Sequence, residues 1–331
     1  LKNNDITFED YYLGTTETDQ RISWSTAKSI LSAIFGIAVA EGHIASLQDP
    51  VTKYVPELKG SAYDGVLIKN VLQMSSGVKF DEDYGRFNSD INRFGRTMAL
   101  GGSFDEFATT LEIEREEGVY LHYVSIDTHV LGMVLRHATG REITDYLNEK
   151  LWSKIGPEAN AIYMVDSLNQ PMVLGGLNLR TRDYARFGKL YLDNGQWNGE
   201  QIVPAQWVAD SITPDAPHLV PGKRDSSEIN LGYGYQWWIR NFSTESNTYS
   251  CFYAAGYGGQ NIFVIKELGL EPSTSNEFGF KQDLPYYVQD LTFNRFDEEK
   301  PFFILPISSV THLNTKPVTY ALYELIGQTK K

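Results

Sequence analysis

Ser23-Trp24-Ser25-Thr26-Ala27-Lys28-Ser29-Ile30-Leu31-Ser32-Ala33-Ile34-Phe35-Gly36-Ile37-Ala38 is the stretch on which the reading of this chain turns. Ile30, Leu31, Ile34, Phe35, Ile37 and Ala38 cover nearly the whole circumference of a helix, so the helix is expected to be buried. Gly42 is placed to cap its end. At the first turn, positions i and i+3 share a face, which puts the Lys28 amine within reach of the Ser25 oxygen. A serine hydroxyl is a poor nucleophile until a base takes its proton. Burial of a lysine disfavours its charged form and lowers its pKa toward that of a working base. The helix start adds backbone N–H groups for a developing oxyanion. The plainer alternative is a capping serine beside an exposed lysine.

Two further constellations lie downstream. In Tyr120-Leu121-His122-Tyr123-Val124-Ser125, an extended backbone would point Tyr123 and Ser125 to one side. A phenol beside a lysine can pass a proton to a leaving group. The alternative is a strand end with a serine before the next helix. In Gly256-Tyr257-Gly258-Gly259-Gln260, three glycines ahead of a strand let a backbone come close to a ligand, and that strand edge could lend a second oxyanion N–H.

Working outward, residues 6–13 read as a strand ending at Gly14, and residues 66–74 as a short helix stopped at Ser75-Ser76-Gly77. Asp49-Pro50 and Val55-Pro56 mark an extended connection. Residues 79–118 are polar and acidic and read as a loop-rich cap. Helices are expected over 127–137, 142–155, 181–192 and 316–327. Asn194-Gly195 and Asn198-Gly199 are turn signals that bracket a short strand or turn pair. Strands are expected over 233–239, 248–254, 260–265 and 301–308. Strands at both ends with helices between suggest an α+β fold.

The composition narrows the function. The 331 residues are 42% hydrophobic and 21% charged, which is ordinary globular usage. A formal net charge of −13 argues against a nucleic-acid binder and against a basic membrane-surface helix. No apolar run is long enough for a membrane span. The single cysteine, Cys251, can form neither an internal disulfide nor a thiolate metal site. His43, His122, His129, His137, His218 and His312 form no H-x-x-x-H or H-E-x-x-H pattern, so no metal is expected. Neither Gly256-x-Gly258 nor Gly232-x-Gly234 completes a nucleotide loop, and no G-x-S-x-G elbow exists. The compartment stays open between periplasmic, secreted and cytoplasmic.

The order serine-x-x-lysine, then Tyr123-x-Ser125, then a glycine-rich strand start resembles the penicillin-recognising serine hydrolases. The nearest group is that of the class C β-lactamases, DD-peptidases and related esterases, and within it the 6-aminohexanoate-dimer hydrolase and esterase branch. Gly42-His43-Ile44-Ala45-Ser46-Leu47-Gln48-Asp49-Pro50-Val51, Val71-Leu72-Gln73-Met74-Ser75-Ser76-Gly77, Thr128-His129-Val130-Leu131-Gly132 and residues 175–188 extend the likeness over residues 8–268.

The resemblance implies a β-lactamase/transpeptidase-like α+β fold, an antiparallel sheet flanked by helices with an all-helical insertion. Residues 1–60 and 175–331 would form the sheet domain and 61–174 the helical domain, with the active site between them. It implies Ser25 as the acylated nucleophile, Lys28 as its base and Tyr123 as proton relay. The backbone N–H groups of Ser25 and Gln260 would form the oxyanion hole. Ser125, where many members carry Asn, would orient substrate or Lys28. No cofactor is implied, and the partner is a small ester or amide.

Departures are expected to matter. The third motif of the lactamases carries a cation, and here the match is Tyr257-Gly258-Gly259. Tyrosine brings no charge. This weakens a lactamase or D-amino-acid peptidase and favours esters or amides of less acidic acids; a catalytically silent penicillin-binding-like module is the other alternative. Residue 1 is Leu, and the family expects a helix and strand before 6–13, so the start reads as trimmed. Residues 268–300 expand a turn, as a flap, a dimer contact in a homo-oligomer or a disordered insertion. Tyr84, Phe87, Tyr120, Tyr235, Trp237, Trp238 and Tyr257 are candidates for a substrate-lining aromatic wall.

Overall fold

A computed structural model describes residues 9, 11, 15–243, 248–257, 259–266 and 286–289. The strand expected at 6–13, the strand at 301–308, the helix at 316–327, Gly258 and most of 268–300 lie outside the described residues.

The elements follow in chain order. Strand β1 (Gln20–Ile22) leads into helix α1 (Thr26–Ala40), then come α2 (Ile68–Leu72), α3 (Asp90–Ala99), α4 (Phe104–Thr109), α5 (Ser125–Thr139) and α6 (Ile143–Lys150). Strands β2 (Ile162–Tyr163) and β3 (Leu177–Arg180), helix α7 (Thr181–Leu192), hairpin β4 (Gln196–Trp197) and β5 (Glu200–Gln201), and helix α8 (Ala205–Ser211) come next. The chain continues through β6 (Gly232–Tyr233), β7 (Trp238–Ser243), β8 (Thr248–Ala255), β9 (Asn261–Val264) and β10 (Tyr286–Gln289).

The last five strands form one antiparallel sheet in the order β10-β9-β8-β7-β6. A second sheet, β1-β3-β2, is antiparallel too, with Arg21 opposite Leu179. Among the described residues no helix is long and apolar enough to cross a membrane.

Helix α1 is the centre of the core. Every residue from Thr26 to Ala38 is buried, as its all-round apolar pattern predicts. It ends at Glu41 with Gly42 in the left-handed region (φ 78°), where glycine is free of the Cβ clash. Helix α7 keeps the limits expected from its sequence.

Four expectations need correction. Val51–Lys53 and Pro56–Leu58 are 3₁₀ turns, so the connection after Asp49 is coiled rather than extended. Residues 79–118 hold α3 and α4: Ile91 and Phe94 are three apart and buried, and the acidic surroundings mask that pair. Phe94 stacks on Phe104 at 4.4 Å and meets Phe107 edge-on. Helix α5 starts at Ser125, two residues early, so Tyr123 and Ser125 are not on one extended strand. The single strand expected at 233–239 is two strands joined by a turn. Gly234 N–H donates to the Trp237 carbonyl, and Gln236 takes a left-handed backbone (φ 66°).

Candidate active site

Ser25 occupies the N-cap position of α1 with helical backbone angles, and its hydroxyl makes no capping bond. That leaves the side chain free for other partners. Trp24 before it is held in the left-handed region (φ 42°), a costly conformation for a bulky residue. The surroundings enforce it: Ser23 N–H donates to the Leu177 carbonyl, and Gly256 packs so close that an added methyl would strike the Ser23 carbonyl. Gly256 thus packs against the backbone that presents Ser25.

Lys28 is 1% exposed, whereas Ser25 keeps an open side. The Lys28 Nζ lies 2.8 Å from Ser25 Oγ, 3.0 Å from Ser125 Oγ and 2.9 Å from the Leu174 carbonyl oxygen. Burial brings the amine down to about 7, partly opposed by the negative charge of Glu82. A substantial neutral fraction therefore exists near neutral pH.

Tyr123 sits over this group, with the Lys28 Nζ 5.3 Å from its ring centre. Burial and the Glu82 charge hold its phenol well above the usual range, although hydrogen bonds with Ser25 and Ser125 pull the other way. The phenol is thus protonated at neutral pH and can relay a proton but not serve as a resting phenolate. Trp238 stacks on the Tyr123 ring at 5.0 Å, and Tyr233 meets it edge-on.

Glu82 has no place in the sequence reading. Its Oε2 accepts the Ser125 backbone N–H at 2.8 Å, and its Oε1 accepts the Ser125 hydroxyl and, at 2.8 Å, the Tyr84 hydroxyl. The first N–H groups of a helix have no intrahelical partner, and a carboxylate suits that end of the dipole. Glu82 was hidden because Asp81-Glu82-Asp83 reads as a solvated acidic run. No side-chain signal could have pointed to the Leu174 carbonyl.

The remaining expected residues divide. Gln260 is 3% exposed, and its carbonyl accepts from Thr26 Oγ1 at 3.0 Å and from Gly256 N–H at 2.7 Å. This ties the β9 entrance to the first turn of α1. Among the described residues, neither Ser25 N–H nor Gln260 N–H donates a hydrogen bond. Gly259 is left-handed (φ 98°), which completes the turn into β9. Tyr257 stacks on Tyr84 at 4.2 Å and meets Trp24 edge-on at 6.5 Å, so three aromatics gather beside Ser25.

Trp237 is a correction: it is wholly buried against Phe187, Tyr191 and Phe252 and packs the core. Tyr235 packs on Trp207 and is also buried. Tyr120 and Phe87 lie under the guanidinium groups of Arg115 (4.2 Å) and Arg96 (4.1 Å). Among the described residues, no three His, Cys, Asp or Glu side chains are grouped to hold a metal ion.

Residues 22–271 match the Beta-lactamase family, and the chain belongs to that family of serine hydrolases. It is 30% identical over 272 residues to the 6-aminohexanoate-dimer hydrolase of Paenarthrobacter ureafaciens, covering 80% of this chain and 68% of that one. A Bacillus anthracis structure with a provisional 6-aminohexanoate-dimer hydrolase name superposes with a TM-score of 0.70 at 24% identity, covering 81% of this chain and 69% of that one. A family VIII carboxylesterase superposes with a TM-score of 0.58 at 15% identity, covering 75% and 74%. The fold is the β-lactamase/transpeptidase-like α+β arrangement expected from the sequence.

Proposed function

We propose that this hydrolase cleaves a small ester or amide through an acyl-enzyme on Ser25, with Lys28 as the base. The observation that carries the reading is the 2.8 Å contact between Lys28 Nζ and Ser25 Oγ, made by an amine that burial has brought down to about 7. Ser25 Oγ attacks the substrate carbonyl carbon while its proton passes to Lys28. The carbonyl oxygen becomes an oxyanion, received by the free N–H groups of Ser25 and Gln260. The intermediate collapses as Tyr123 hands a proton to the departing alkoxide or amine and is resupplied by Lys28. Water then attacks the acyl-enzyme by the reverse relay, releasing the acid and Ser25. On this reading residues 61–174 are the helical part and the flanking segments the sheet part of one catalytic unit.

The substrate class follows from the walls. Tyr257 stands where the lactamases carry a cation, and its ring is engaged with Tyr84 and Trp24. Such a slot suits apolar or flat acyl groups and offers no counter-charge for a carboxylate. The names of the Paenarthrobacter relative and of the carboxylesterase neighbour support the choice between a linear amide and an ester.

Fluorophosphonate labelling with adduct mapping by mass spectrometry is expected to place the adduct on Ser25; a folded protein without it refutes the mechanism. Turnover of p-nitrophenyl butyrate and acetate is expected to exceed that of nitrocefin. A linear aminohexanoyl amide separates amidase from esterase. Faster nitrocefin turnover would favour the lactamase alternative, and failure on every substrate the silent module.

A further inference from the structure

A neutral lysine has two N–H donors and one lone pair, and which neighbour receives the lone pair decides whether it acts as a base. Three oxygens surround the Lys28 Nζ. The Leu174 carbonyl can only accept, so it takes one N–H. The Ser125 hydroxyl has a single proton, and that proton goes to Glu82 Oε1, so toward Lys28 this oxygen can only accept and takes the second N–H. The lone pair is then left for Ser25 Oγ, whose proton it can receive.

From this we infer that Glu82 is a positioning residue of the site: by claiming the Ser125 proton it turns the lone pair of Lys28 onto Ser25. The inference rests on the assignment of Lys28 as base. Glu82 reaches the lysine only through Ser125, and one carboxylate accepts three donors, the Ser125 N–H, the Ser125 O–H and the Tyr84 O–H. An amide cannot replace it. Glutamine has one carbonyl oxygen and presents N–H donors where the second carboxylate oxygen stood. With the amide nitrogen at the Oε1 position the Ser125 hydroxyl loses its acceptor and its proton competes for the lysine lone pair; with it at the Oε2 position the amide meets the Ser125 N–H donor to donor and displaces the helix start that carries the hydroxyl.

The groups that face Lys28 can be named. Ser25 comes from the α1 start, Ser125 from the α5 start, Tyr123 from the segment just before α5, and the Leu174 carbonyl from the segment ahead of β3. Glu82 is the charge that acts on the amine, and it favours the protonated form. The Tyr123 and Tyr84 phenols are both held protonated by burial and the same carboxylate. Glu82 therefore has two separable effects: its charge raises the Lys28 midpoint, and its hydrogen bonds set the direction of the lone pair.

Glu82→Gln separates them, because the two effects oppose each other in the rate. The NMR titration of the Lys28 ε-carbon is expected to move to lower pH, while fluorophosphonate labelling of Ser25 at alkaline pH slows by about tenfold despite a fully neutral amine. Glu82→Asp keeps the charge and shortens the reach, so labelling slows while the midpoint stays near that of the native protein. In a Ser125→Ala background, Glu82→Gln is expected to slow labelling little, because the route to Lys28 is already cut. Circular dichroism and thermal melting establish that each variant is folded.

Equal alkaline labelling rates for Glu82→Gln and the native protein overturn the inference, as does a slowdown undiminished in the Ser125→Ala background. Native protein that takes no label on Ser25 would instead overturn the hydrolytic mechanism on which the inference rests.

Discussion

On the proposed mechanism the chemistry depends on Lys28, and burial is what suits its amine to act as a base. Moved into water, its amine would be cationic at neutral pH and have no lone pair to offer. Inside α1 it stands at about 7. Acylation is therefore expected to rise with pH through about 7 and then level, because the neutral amine is the active form. A labelling rate that falls across this range would overturn the assignment. Lys28→Ala removes the local base and is expected to slow Ser25 labelling by about 10²- to 10⁴-fold, with the fold retained by circular dichroism. At the same scale the sequence spacing anticipated the contact between Ser25 and Lys28 and left Glu82 unseen. Residues at i and i+3 are neighbours by helix geometry alone. Glu82 and Ser125 are 43 positions apart, and no local periodicity joins them.

At the scale of elements, the turn between β6 and β7 does what a plain strand could not. Gln236 sits there in the left-handed region and fastens three helices to the sheet. Its carbonyl accepts from Ser29 of α1 at 2.6 Å, its Oε1 from Thr128 of α5 at 2.7 Å, and its Nε2 donates to the Leu72 carbonyl of α2 at 2.9 Å. Gln236→Ala takes the acceptor from the buried Thr128 hydroxyl, while the Leu72 carbonyl keeps the Gln236 backbone N–H at 3.2 Å, and is expected to destabilise the protein by about 1–3 kcal/mol, read as a lower urea midpoint. The turn also explains the two tryptophans. Alternation along one strand would put Trp237 and Trp238 on opposite faces but cannot say which face is the core. The structure buries Trp237 on Phe187 and leaves Trp238 stacked on Tyr123. Helix α1 was more legible, because a helix apolar all round can only be buried. Helices α3 and α4 were less so, because two or three phenylalanines in an acidic stretch do not outweigh their neighbours in a sequence window.

Across the whole molecule, a half-buried carboxylate, Asp105, and a fully buried one, Asp127, give stability opposite pH dependences in adjacent windows. Burial raises Asp105, but hydrogen bonds and charge from His129 and Arg136 outweigh it and hold the carboxyl at about 2. Between about 2 and 3.8 the unfolded chain binds more protons there than the folded one, so stability falls as pH drops. Asp127 is the reverse. Burial lifts it to about 7, against hydrogen bonds from Tyr63 and Ser76. Between 3.8 and about 7 the folded state holds the extra proton, so its contribution to stability falls as pH rises. Urea midpoints measured against pH are expected to lose the acid-side slope in Asp105→Asn and the near-neutral slope in Asp127→Asn. A slope unchanged in either variant would assign it to other groups.

The sequence by itself determined a buried helix opened by Ser25 and Lys28, a glycine-rich entrance to β9, the limits of α7 and the α+β class. Each of these rests on local spacing, on backbone freedom or on a hydrophobic period, all of which a one-dimensional pattern records. Only the tertiary structure decided that Ser125 begins a helix, that Glu82 takes its proton, that the Leu174 carbonyl completes the lysine's shell and that Trp237 belongs to the core. These are contacts between segments far apart in the chain, and the direction of a hydrogen bond depends on every donor and acceptor around it. The pairing of Ser25 with Lys28 is a local property of the chain, whereas the set of oxygens around the Lys28 amine exists only once the chain has folded.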